Sequence, residues 1–217
     1  MTIAVQRSLR PQPGPPRSYR FPTFQCHALA NGIRVIVAPV PTLPIVTVHA
    51  LFDAGAVCDP GGKEGLAQLT AKSLLEGTGR STGAELALRF ERLGASADAH
   101  ADWDAASVTV TAMAKQLDAT LGLLSEVFLD PGFHERELDR LKGERLAELL
   151  QLRAEPRGRA DEEFARVVYD GASRFALPDG GTETTVGSIE RADLLRFFSA
   201  RYSPPSATII IVGDVEE

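Results

Sequence analysis

Two stretches of alternating side chains meet at an Asn-Gly dipeptide: FQCHALA (24–30) lies before Asn31-Gly32 and IRVIVAPV (33–40) after it. Asn-Gly is a tight-turn signal, so these runs are predicted to pair as antiparallel strands. No other local signal constrains the fold as much. A hairpin of alternating residues carries one apolar face, and that face has to be covered. Four more runs read as strands. PIVTVHALFDAG (44–55) opens on β-branched residues, ASADAHAD (95–102) and ASVTVTAMA (106–114) alternate as a second antiparallel pair, and ATIIIVGDV (207–215) reads as a last buried strand.

The covering elements lie between these strands. Leu66 to Leu75 is predicted helical, with its end at Gly77. Thr82 and Glu85 have the spacing of a capping box and start a helix that runs to Gly94. Lys115 to Phe128 is amphipathic, and Pro131-Gly132 breaks the chain after it. His134 to Ala154 is a long helix with Leu138, Leu141, Leu149 and Leu152 on its apolar stripe. Pro156 restarts a helix to about Tyr169, residues 170–185 read as loop, and Ile189 to Tyr202 as helix. Antiparallel runs separated by groups of helices predict an α+β fold, a mainly antiparallel sheet with helices packed on one face. Residues 1–20, with four Pro and four Arg, read as a flexible arm, and residues 21–217 as a single domain.

Composition removes several function classes. A formal net charge of −6 argues against nucleic acid or an anionic membrane as partner. No apolar run approaches the roughly 18 residues of a membrane span, and no signal-type apolar segment opens the chain. The expected compartment is the cytoplasm, or the periplasm if an export signal has been removed. Cys26 and Cys58 are too few for a disulfide framework and read as reduced, partly buried thiols. The Gly-rich segments DPGGKEG and PDGGTE lack the spacing of a phosphate loop.

The segment GLAQLTAKSLLEGTGRST (65–82) carries the functional argument. It resembles the metal-binding helix of the pitrilysin/insulinase family of zinc peptidases, the inverzincins, in which H-x-x-E-H precedes a Gly-Thr. Two His four apart share a helix face and hold Zn²⁺, while the Glu between them activates a bound water. Matching Gly77-Thr78 puts Gln68 and Lys72 at the His positions and Ala71 at the Glu position. Gln is a poor zinc ligand, Ala has no base, and protonated Lys repels a cation. The resemblance extends through NGIRVIVAPVPTLPIVTVHALFDAGAVCDPGGKEGLA, ERLGASADAHADWDAASVTVTA and RFALPDGGTETTVGSIERADLLRFFSARYSPPSATIIIVGDV, from about Phe24 to Val215.

The resemblance implies the first, half-unit domain of a mitochondrial-processing-peptidase-like protein, of the non-catalytic type. It implies a third ligand position at Glu148, 76 positions after Lys72. It implies zinc in active relatives, with no cofactor expected in this chain. It also implies a partner, either a catalytic peptidase subunit or a second homologous domain, and a peptide substrate met only through that assembly. Self-association is a further expectation. In this reading Lys72 stands in for the missing cation beside Glu148, Glu76 competes for the same Lys, and Gln68 donates to the same carboxylate.

Blander readings stand beside these. Gln68 and Lys72, about 40° apart around a helix, also suit a solvated polar face with a Lys72–Glu76 pair. Glu148 also suits the edge of an apolar stripe. His27 and His49 read as strand-face residues, and His134-Glu135 as an ordinary helix start. His100 and Asp102 share one strand face, which leaves open an active peptidase with a rearranged metal site of His100, Asp102 and Glu148. A stand-alone binding or scaffold domain is the third alternative.

Overall fold

The computed structural model describes residues 13–16, 18–171 and 173–216. The proline-rich arm falls largely outside the described residues, and its described part has no regular secondary structure. Six strands, β1 (Gln25–Ala28), β2 (Arg34–Pro39), β3 (Ile45–Phe52), β4 (Ser96–Ala101), β5 (Ala106–Met113) and β6 (Ala207–Gly213), form one sheet in the order β1-β2-β6-β3-β5-β4. All neighbours are antiparallel except β2 and β6. The predicted hairpin is β1–β2, and Gly32 takes the turn with a φ of 94°.

Alternation decides which sheet face meets the helices. Val46, Val48, Ala50 and Phe52 of β3 are buried, as are Val108, Val110 and Ala112 of β5 and Ala99 and Ala101 of β4. The other face pairs Thr47 with Thr111 at 3.0 Å and His49 with Thr109 at 2.5 Å. Strand β6 was expected to be buried, yet Val212 is exposed and Ile210 only half-buried. Both lie on this open face, in register with Thr47 and His49.

The described residues form seven helices, six of them where expected: α1 (Leu66–Ser73), α2 (Gly83–Arg92), α3 (Leu117–Leu129), α4 (Glu135–Ala154), α5 (Pro156–Val168), α6 (Glu183–Ser188) and α7 (Arg191–Arg201). The Thr82/Glu85 capping box at the start of α2 is present, a device worth about 1 kcal/mol. Helix α6 lies inside the stretch expected as loop. ETTVGS has low helix propensity, but Thr182 caps it and Val186 is buried in the core, so packing overrides propensity. Six of the eight residues of α1 are buried, and it packs against α4, α7, β4 and β5. Small side chains at Ala67, Ala71, Ala99 and Ala101 leave room for that approach.

Candidate functional site

Burial dictates what α1 shows to its surroundings. Only Gln68 and Lys72 escape the core, and Ala71 between them is 0% exposed. Asp59 sets the helix start: its carboxylate, with a fully buried side chain, accepts from the amides of Gly65 and Ala67 at 2.8 Å each. Arg174 donates to the same carboxylate at 3.1 Å and also to the carbonyls of Leu177, Pro178 and Asp179. Burial raises the Asp59 pKa above the ordinary carboxylate value, and these hydrogen bonds pull it back. Asp59 thereby ties the start of α1 to the loop before α6. Position 65 calls for glycine on two counts: its φ is 95°, and a Cβ would meet the Gly180 carbonyl oxygen.

Glu148 reaches this face from α4. Lys72 Nζ lies 4.0 Å from Glu148 Oε1, and Arg145 Nη1 donates to Oε2 at 3.0 Å. Arg145 also donates through Nε to the Gly180 carbonyl at 3.0 Å. Gln68 does not donate to Glu148. Its Nε2 reaches Asp179 Oδ2 at 3.2 Å, while Asp179 Oδ1 accepts from the Gly180 amide at 2.8 Å. Nor does Glu76 compete for Lys72, because it pairs with Arg140 at 2.5 Å. Gln68, Lys72 and Glu148 therefore share one polar face, with Arg145, Asp179 and Gly180 completing it. Sequence reasoning missed Arg145, although its i,i+3 spacing from Glu148 was a legible signal. Asp179 carried no signal, since a loop places it.

The cofactor expectation needs correcting. The sequence led to zinc in active relatives, none in this chain, and a rearranged site as the alternative. The structure supports a narrower statement: among the described residues, no three His, Cys, Asp or Glu side chains form a group able to hold a metal ion. The fold by itself does not show zinc in the relatives. His100, Asp102 and Glu148 are not brought together. His100 lies on the open sheet face with Asp98 at 3.2 Å and Ser107 at 3.2 Å, whereas Ala99 and Ala101 face the helices. Asp102 turns back to accept from the amides of Asp104 and Ala105. His49 is likewise on the open face, its pKa lowered by burial and then by the neighbouring His100. His134 stands at the N-cap position of α4 without a side-chain capping bond, and its Nε2 lies 3.3 Å from the Thr78 carbonyl oxygen. Of the two cysteines, Cys26 is exposed rather than partly buried, because β1 is an edge strand. A donor set of one carboxylate, held by two cations, does not fit a zinc ion that takes three or four protein ligands.

The model of the insulinase family, peptidase family M16, matches residues 34–173. The chain belongs to the insulinase family. An uncharacterized zinc protease of Rickettsia bellii is 20% identical over 193 residues, covering 89% of this chain and 47% of that protein. The non-peptidase homolog YmxG of Helicobacter pylori is 24% identical over 174 residues, 80% of this chain and 40% of the homolog. The crystal structure of a peptidase M16 inactive domain from Pseudomonas fluorescens matches with a TM-score of 0.85 at 28% identity, covering 89% of this chain and 47% of that one. The chain spans about half the length, or less, of the curated relatives it matches. Among the described residues no helix is long and apolar enough to cross a membrane.

Proposed function

We propose that this insulinase-family chain is a non-catalytic half-unit, which assembles with a catalytic peptidase subunit or a second homologous domain to enclose peptide substrates. In this reading residues 21–217 are one half-unit, and Gln68, Ala71, Lys72 and Glu148 are the remnants of the ligand and base positions. The observation that carries it is position 71. A general base must reach a water beside the metal, but Ala71 has no titratable atom and is sealed in the core. The names of the Pseudomonas fluorescens inactive domain and of the Helicobacter pylori non-peptidase homolog support the same reading. Phe164, Val167 and Val168, all exposed on α5, support a surface that a partner covers.

Two measurements test it. The purified chain, incubated with denatured casein and zinc, should release no peptides. Mixed with a family member that keeps H-x-x-E-H, it should co-elute as a complex in size-exclusion chromatography. Cleavage by the chain alone would overturn the inactive reading. Failure to associate with any such family member encoded beside it would favour the stand-alone scaffold.

A further inference from the structure

We infer that Arg145, seated on Gly180, closes the Gln68–Lys72–Glu148 face to a divalent cation independently of the lost histidines. This rests on the reading of those three positions as former ligands, and it adds a residue that the ligand pattern does not contain. Three observations on one side chain carry it. Arg145 binds the only ligand-type carboxylate of the trio, at Glu148 Oε2. Its second donor is fixed by a backbone carbonyl, that of Gly180. And it is the held cation of the cluster: its side chain is 17% exposed, against 40% for Lys72 and 49% for Glu148.

The seat is built into the backbone. A Cβ added at Gly180 would run into the Arg145 guanidinium, so the side chain packs against bare main chain. The loop beneath it cannot drift away easily. Asp179 holds the Gly180 amide and takes the Gln68 amide, and Arg174 holds the carbonyls just before it. A guanidinium stays charged at any working pH. A dication bound at Glu148 would therefore compete with a fixed cation for the same carboxylate and be repelled by it. Lys72, 4.0 Å away and more exposed, is the weaker obstacle. Arg145 is thus a positioning residue for Glu148, turning it into an internal ion-pair partner. Groups of this kind around a ligand shift metal affinity by roughly 10–100-fold.

The test restores ligands with and without the obstacle. Q68H/K72H supplies the two imidazoles and leaves Ala71 alone, since zinc uptake does not need the base. To this background one adds R145Q, which removes the charge but keeps a donor for the Gly180 carbonyl, or G180A, which displaces the guanidinium without deleting it. Zinc is measured by equilibrium dialysis with metal analysis, and site geometry by Co²⁺ absorption. The expected result is weak zinc binding by Q68H/K72H, and about one equivalent bound roughly 10–100-fold more tightly once R145Q or G180A is added. Equal affinity in all three proteins would overturn the inference, and so would the lack of zinc in both triple variants, which would put the obstruction in other residues. Zinc uptake needs neither peptidase activity nor a partner, so this outcome and the assembly test fail independently.

Discussion

Glu126 and Glu148 are both helix carboxylates that meet an Arg, and they differ in what surrounds the pair. Glu126 on α3 is 13% exposed. It takes two hydrogen bonds from Arg89 of α2, at 2.7 and 2.8 Å, and a third from the Thr78 hydroxyl at 2.7 Å. The Arg89 guanidinium, and after it the Thr78 hydroxyl, pull the Glu126 carboxyl down to about 2. Glu148 is 49% exposed and takes one donor from its own helix, with Lys72 further off. The first pair joins two helices through a two-pronged, charge-assisted contact, with Glu126 shielded and Arg89 part-exposed. The second sits where solvent screens it. The lesson is that the clasp at Glu126 contributes more to holding its helices together than the salt bridge at the remnant site does.

That contrast can be broken experimentally, most sharply at Arg89. Arg89→Leu strips Glu126 of its counter-ion and should cost roughly 2–3 kcal/mol in urea unfolding at neutral pH. A cost under about 0.5 kcal/mol would put Glu126 in the same class as Glu148.

The pH dependence sharpens it further. Glu126 has a depressed folded-state pKa, so its contribution is present above the ordinary value of 4.5 and is lost as pH falls through about 2. The stability gap between wild type and Glu126→Gln should be roughly 2 kcal/mol at pH 7, allowing for the part-exposed Arg89. It should shrink between about pH 4.5 and pH 2. A gap that stays constant down to pH 2 would contradict the assignment.

Smaller effects are expected at the remnant site. Glu148→Gln should cost less than about 1 kcal/mol, and Lys72→Met a few tenths, both fading in 1 M salt. A loss above about 2 kcal/mol for Lys72→Met would mean that the ion pair, not the buried side of α1, fastens this helix.

How much of this was legible follows from the range of each signal. Thr82 and Glu85 announce their capping box within four residues, and Asn31-Gly32 announces its turn within two, so both were readable. Helix α6 was not, because its stability comes from Val186 in a core assembled by distant strands. The partners of Gln68 and Glu76 were misread for a related reason. Asp179 and Arg140 reach them from a loop and another helix, and a helical wheel of α1 holds neither.

The sequence by itself determined the residue chemistry: no His at 68 or 72, no base at 71, and a carboxylate retained at 148. It also determined the alternation that gives each strand a core face, since side-chain direction in a strand is local geometry. The tertiary structure decided the parallel pairing of β6 with β2, more than 160 positions apart in the chain. It also decided that Ala71 is sealed and that Arg145 finds its seat on Gly180. Those outcomes depend on which surfaces meet once the loops close, and long-range contacts of that kind leave no periodic trace in the residues that make them.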